Sequence, residues 1–256
     1  LRLRFLAVTI PMIIFLVVGL FVSFDYFVTN IINILSERFV AQQVSYNRGR
    51  TLQPLLQEIA LSRTLARSPL IINWALDEKN PQYRTRGLAE LESARRIFKD
   101  GSYFFAIRKS GDYFFNDAKN AYAGKQFRYA LSPHKDDDAW YYATLKNPSE
   151  CQINVNNDTE LKVTKVWINC LVRQGNTAIG VIGTGIELSK FIAAVLNIEQ
   201  DGVVNMFVDG DGAIQAHPDA KNIDFHTLTK DADAKKTVYR LLTDDPSRAQ
   251  LKALLK

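Results

Sequence analysis

Three histidines, two cysteines and no nucleophile motif leave this 256-residue chain short of the side chains that carry out reactions. His134, His217 and His226 show no metal-ligand spacing, and neither Gly-x-Ser-x-Gly nor a phosphate-binding glycine loop occurs. The Asp-Gly-Asp-Gly run at 209–212 lacks the further oxygen ligands, at fixed spacing, that a calcium loop needs. No catalytic residue, metal or cofactor is therefore expected, and the region is not expected to be an enzyme. A basic stripe is missing too: 32 Lys and Arg are spread beside 27 acids, so the net charge of +5 does not point to nucleic acid. Disorder is excluded by a globular composition, 47% hydrophobic and 23% charged. No methionine stands at position 1, which fits a segment of a longer protein.

What the chain does have begins with "FLAVTIPMIIFLVVGLFVSF", Phe5 to Phe24, twenty residues without a charge. That is enough helix to cross a bilayer, and it exceeds the apolar core of a cleavable signal. Arg2 and Arg4 precede it and Asp25 follows, so the positive-inside bias puts the N-terminus in the cytoplasm and everything after about residue 25 outside. An outside location permits a disulfide between Cys151 and Cys170, two buried thiols being the alternative.

Beyond the span, helical periodicity runs from Val28 to about Leu65, a stalk with Gly49 and Pro54 as candidate bends. "PLIINWAL" and "RTRGLAELESARRIF" read as two packing helices separated by Lys-Asn-Pro. Strand signals follow: "SYFFAIRK" turning into "YFFND", "CQINV" turning into "VTKVWINCLV", and "AIGVIGTGIEL". Between the first two hairpins "GKQFRYALSPHKDDDAWYYATLKN" reads as a loop entering a short helix, with Asp136, Asp137 and Asp138 at the helix's positive end. A further pair, "VVNMFVD" and "AIQAHPD", signals a second, incomplete sheet, and "DPSRAQLKALLK" a closing helix.

The second hairpin sorts its own faces. If Cys151 faces Cys170, then Ile153 meets Ile168 and Val155 meets Val166 on one apolar face, because strand side chains alternate. Gln152, Asn154 and Asn156 then share the other face with Asn169, Trp167 and Lys165. A one-residue slip mixes the two sets, so the pattern supports both this register and the cross-strand disulfide. An indole among amides suits a concave site, plain solvent exposure being the alternative.

Taken together, the anchor, stalk, hairpins, "WYYATL", "GVIGTGIEL" and "FVDGDGAIQAHPD" resemble the double Cache sensor family, the extracytoplasmic regions of bacterial chemoreceptors, sensor kinases and diguanylate cyclases. The resemblance implies an α+β fold: a transmembrane anchor at 1–27, stalk and packing helices at 28–99, a PAS-like antiparallel-sheet Cache module at 100–195, and the start of a second, truncated module at 196–256. "YFFND", "DDDAWYYATLKN" and "VTKVWIN" are most similar to the diguanylate cyclase subgroup, which implies a cytoplasmic cyclase output; a chemoreceptor, a sensor kinase or a protein-interaction module are the alternatives. Also implied are a bacterial inner-membrane location with a periplasmic sensor, a homodimer and a small-molecule ligand. The family pattern carries Trp140 and Tyr141 over as pocket wall and places Asn154 and Asn156 beside them; the hairpin register adds Lys165, Trp167 and Asn169, and the preceding loop adds Arg128. Amino-acid-binding members have an Arg where Asp138 stands and an Asp where Gly185 stands. The ligand is on that ground expected not to be an α-amino acid, since Asp138 would repel its carboxylate.

Overall fold

The computed structural model describes residues 2–158, 161, 163–196 and 203–255. The chain divides into two compact units, residues 1–53 and 54–256. Helix α1, Arg2–Ala66, makes up the first unit and opens the second. Within the first unit Met12–Ile32 forms a helical stretch of 21 residues, none of it buried, long and apolar enough to cross a membrane. Side chains of the expected span that precede Met12 lie outside the described residues.

The second unit is α+β, as the sequence implied. After α1 come α2 (Pro69–Leu76) and α3 (Pro81–Ile97), each with proline in its first turn, where a missing N–H leaves no bond unmade. Asn80 caps α3 by accepting the N–H groups of Gln82 and Tyr83. The strands β1 (Tyr103–Ile107), β2 (Asp112–Asn116), β3 (Phe127–Ala130), β4 (Cys151–Asp158), β5 (Val163–Gln174) and β6 (Thr177–Glu187) form one antiparallel sheet in the order β3-β2-β1-β6-β5-β4. The two hairpins thus meet edge to edge through β1 and β6, with Phe104 opposite Gly183 and Phe105 opposite Ile182. The long apolar runs of β1, β5 and β6 occupy the centre, and the polar β4 and short β3 take the edges. Strand β3 falls inside the stretch read from sequence as loop; four half-exposed residues are too few to show a period.

One sheet face is covered by helices. Leu55 and Leu65 of α1, Ile71 and Trp74 of α2 and Leu91 of α3 pack on Phe105, Phe114, Ile168 and Ile182 in a single core. Trp74 is wholly buried, its ring centroid 5.2 Å from Phe105 and 4.7 Å from Phe114. A Cβ at Gly87 would stand 2.3 Å from the Trp74 ring, so this close crossing of α2 and α3 requires glycine. The opposite face carries a separate cluster that includes Phe104, Tyr113, Phe115, Tyr141 and Trp167, with α4 (Ala139–Lys146) lying against it.

Helix α5 (Leu188–Phe191) leads away from the sheet toward a two-stranded ladder, β7 (Phe207–Val208) with β8 (Ile214–Ala216), and α6 (Asp245–Leu254) closes the chain. Both strands are shorter than the apolar runs suggested, and Ile214 of β8 also bonds outside the ladder, its N–H donating to the Lys236 carbonyl at 3.0 Å and its carbonyl accepting the Asp224 N–H at 2.8 Å. Strand β8 approaches β4: the Val155 N–H donates to Gln215 Oε1 at 3.3 Å, and the His226 N–H donates to the Val155 carbonyl at 3.3 Å.

Candidate functional site

Strand β4 pairs with β5 in the register read from the sequence, from Cys151 opposite Cys170 through Ile153 opposite Ile168 and Asn154 opposite Trp167 to Asn156 opposite Lys165. Cys151 and Cys170 form a disulfide. Period-two alternation then does the sorting: Val155, Val166 and Ile168 enter the helix-covered core, while Asn154, Asn156, Trp167 and Asn169 turn to the other face.

There they line a hollow walled by five rings: Phe104 of β1, Tyr113 of β2, Tyr129 of β3, Trp140 of α4 and Trp167 of β5. Phe104 stands nearly perpendicular to both indoles, at 86° and 5.6 Å from Trp140 and at 80° and 5.7 Å from Trp167. Edge-to-face packing of this kind matches the positive rim of one ring to the negative face of the next. Polar groups complete the wall: Asp137, Asp158 and the amides of Asn154, Asn156 and Asn169. Asn169 Nδ2 donates to Asn154 Oδ1 at 2.6 Å, whereas the buried Asn156 Oδ1 has no partner among the described residues. The empty space of the hollow, its open mouth included, is about 400 Å³.

Glycine at 185 makes the arrangement possible. Gly185 pairs with Trp167, and a Cβ there would come within 2.7 Å of both the indole and the Lys165 stem. Burial pushes the Tyr113 phenol well above its ordinary pKa, so it stays neutral and can donate a proton in a hydrogen bond.

Other candidates from the sequence sit elsewhere. Tyr141 is buried but one helical step round from Trp140, and it borders a different groove with Arg108 and Leu131. Lys165 is buried beside the hollow but not part of its lining: its ammonium is paired with Asp100 and bonded to Ser102 Oγ at 3.0 Å. Arg128 is also outside the lining, its guanidinium resting 4.1 Å from the Tyr122 ring centre. Conversely, Phe104, Tyr113, Tyr129, Asp137 and Asp158 line the hollow and were not singled out. Extending the alternation across β6 to β1 would have found Phe104 and Tyr113, but that step needs the β1–β6 pairing, which no local pattern signals.

Asp138 departs furthest from expectation. It is fully buried, and although it precedes α4 it makes no capping bond; its Oδ2 instead accepts the Ser132 N–H at 2.8 Å, tying the 132–138 loop shut. Burial raises its pKa, with the Ser132 N–H, Lys135 and the Tyr129 hydroxyl pulling it part of the way back. Asp138 is not in the hollow's lining; it stands behind the wall, next to the lining residue Tyr129.

No family profile matches the sequence. Solved structures do share the fold. The ligand-binding domain of the Pseudomonas fluorescens chemoreceptor CtaA with L-isoleucine aligns at a TM-score of 0.56 and 16% identity, over 76% of this chain and 73% of that one. The Pseudomonas aeruginosa PAO1 amino-acid chemoreceptor domains PctC, with GABA, and PctB, with L-arginine, align at 0.52 and 0.53. Their identities are 17% and 18%, over 78% and 73% of this chain and 82% and 73% of theirs. These complexes overturn the expectation that an α-amino acid is excluded: domains of this fold hold L-isoleucine and L-arginine, and Asp138, on which that expectation rested, is tied to the Ser132 N–H and is not part of the lining. In fold, the chain is like the ligand-binding domains of bacterial chemoreceptors.

Proposed function

We propose that this chain is the extracytoplasmic sensing region of a membrane-anchored bacterial signalling protein, and that it binds a small molecule in the ring-walled hollow of residues 100–195. The observation that carries the reading is the convergence of Trp140 and Trp167 on one polar-ended hollow, from elements 27 residues apart in sequence, on the sheet face not covered by α1–α3. Apolar walls with a few convergent polar groups are the usual build of a small-molecule site. The exposed apolar stretch Met12–Ile32 supplies the anchor, and the outside location agrees with the disulfide.

Ligand occupancy signals only if it favours one of two arrangements of the protein. Strand β4 is the natural carrier: Asn154 and Asn156 line the hollow, and Val155 between them holds Gln215 and His226 of the following segment. The similar domains belong to chemoreceptors, which favours a chemoreceptor-type output over the cyclase suggested by the sequence motifs.

Thermal unfolding of the full chain in detergent, across a metabolite panel, tests the proposal. At least one compound is expected to raise the melting temperature, and Trp167→Ala to abolish the rise. A panel without any stabilising compound would leave partner-protein binding as the better account.

A further inference from the structure

A second cavity shares no lining residue with the hollow: a groove between the β1–β2 turn and α4, whose empty space, its open mouth included, is about 840 Å³. Helix α4 supplies a wall to each, Trp140 to the hollow and Tyr141, Tyr142 and Lys146 to the groove. The frame of the groove is bonded together. The Leu131 N–H donates to the Gly111 carbonyl at 2.8 Å and the Tyr142 hydroxyl donates to the Leu131 carbonyl at 3.3 Å, so Leu131 ties the turn to the helix.

The charges in this lining have one sign. Arg108, Lys109 and Lys146 belong to it, and no aspartate or glutamate does. None of the three makes an ion pair among the described residues; Arg108 Nη1 donates to a neutral acceptor, the Ala178 carbonyl, at 2.8 Å. Lys146 suits the negative end of α4, but Arg108 and Lys109 stand on a hairpin turn, where no helix end accounts for them. A cleft lined by charges of one sign concentrates ions of the other.

A buried donor points the same way and does so independently. The Tyr141 side chain lines the groove and is 1% exposed, and its hydroxyl has no partner among the described residues. Burial raises its pKa, so it stays protonated and keeps an O–H to give. Of the charges that act on this phenol, the Arg108 guanidinium outweighs the one carboxylate, Glu78. An unmet buried donor beside cations fits an acceptor that carries negative charge.

We infer that the groove binds an oxyanion carrying two negative charges, a phosphoryl group or a dicarboxylate, held by Arg108, Lys109 and Lys146 with the Tyr141 hydroxyl as its buried donor. The three cations are exposed, and a single exposed ion pair contributes little, so two charges are required for several to act together. The guanidinium fork also matches two oxygens at once. This site is separate from the sensing hollow and does not depend on it.

Calorimetric titration of the full chain in a non-ionic detergent, at fixed ionic strength and mildly alkaline pH, with phosphate, succinate, acetate and chloride tests this. Phosphate or succinate is expected to bind at least about tenfold more tightly than acetate or chloride, and which of the two binds distinguishes a phosphoryl group from a dicarboxylate. Arg108→Gln, and Lys109→Gln combined with Lys146→Gln, should each weaken that binding by about tenfold. Tyr141→Phe removes only an unpartnered hydroxyl, so it should leave the anion-free melting temperature unchanged or higher while weakening binding by about tenfold. Equal binding of all four anions, no binding of phosphate or succinate, or binding unchanged in Arg108→Gln and Tyr141→Phe would overturn the inference. So would a lower anion-free melting temperature of Tyr141→Phe, which would show that the hydroxyl is already bonded within the protein. Binding lost in Trp167→Ala and kept in Arg108→Gln would put the anion in the hollow and overturn it as well.

Discussion

The two faces of the six-stranded sheet are made by the same strands and differ in everything that decides what they can do. Toward the helices, Phe105, Phe114, Ile168 and Ile182 meet Trp74, Ile71 and Leu91 in an apolar core. Toward the hollow, their immediate chain neighbours Phe104, Tyr113, Trp167 and Asn169 surround a crevice with acids and amides at its rim. One face is closed by packing and so holds the fold together. The other leaves a crevice between rings and amides, with the Asn156 Oδ1 unbonded among the described residues, which a core avoids and a recognition site uses. A tryptophan on each face makes the contrast measurable.

Trp74→Ala should destabilise the second unit by about 3–5 kcal/mol in denaturant unfolding, since it opens a cavity among fully buried rings. Trp167→Ala should cost clearly less, because its ring already borders space, while removing ligand-induced stabilisation. Equal losses of stability for the two variants would break the distinction between the faces. Next in size is the Cys151–Cys170 bond, which also lies against the helix-covered core. Replacing both cysteines with alanine should lower stability by about 2–4 kcal/mol without altering ligand selectivity, as read from the same unfolding and titration measurements.

Gly185→Ala sharpens the comparison from the other side. Its methyl group would press on the Trp167 ring and the Lys165 stem, so a loss of about 1–3 kcal/mol is expected together with weakened ligand binding. Unchanged binding would show that the placement of the indole does not matter. The smallest effect concerns Glu92 on the helix side, which accepts hydrogen bonds from Tyr103, Asn116 and Arg95. Burial alone would raise its pKa, but those bonds outweigh burial and lower it. Its stabilising contribution is therefore present above the ordinary glutamate pKa of about 4.3 and is lost as pH falls through the lower folded-state value. Glu92→Gln should cost on the order of 1 kcal/mol at neutral pH and flatten the acid side of the stability profile below about pH 4.

Much of this was legible in the residues because it depends on local periodicity. The apolar N-terminal run, the helices α2 and α3 and the Cys151–Cys170 hairpin register each follow from spacing along one segment, and the alternation placed Asn154, Trp167 and Asn169 on one face. The readings of Tyr141, Lys165 and Arg128 as part of the hollow do not match where these side chains stand, for a common reason. Each lies near the hollow in sequence or on the strand, but stands against a group that the strand period does not place: Lys165 against Asp100, Arg128 against the Tyr122 ring, and Tyr141 in the groove beside Arg108.

The sequence by itself determined the elements and the pairing within each hairpin, because helix and strand periods and a turn's reach are properties of short stretches of chain. Which hairpin edges meet, and therefore that Phe104 and Tyr113 face two indoles and two acids, was decided only by the tertiary structure. That choice depends on burying the apolar edges of β1 and β6 against each other beneath α2 and α3, a contact between residues some 80 positions apart that no local pattern encodes.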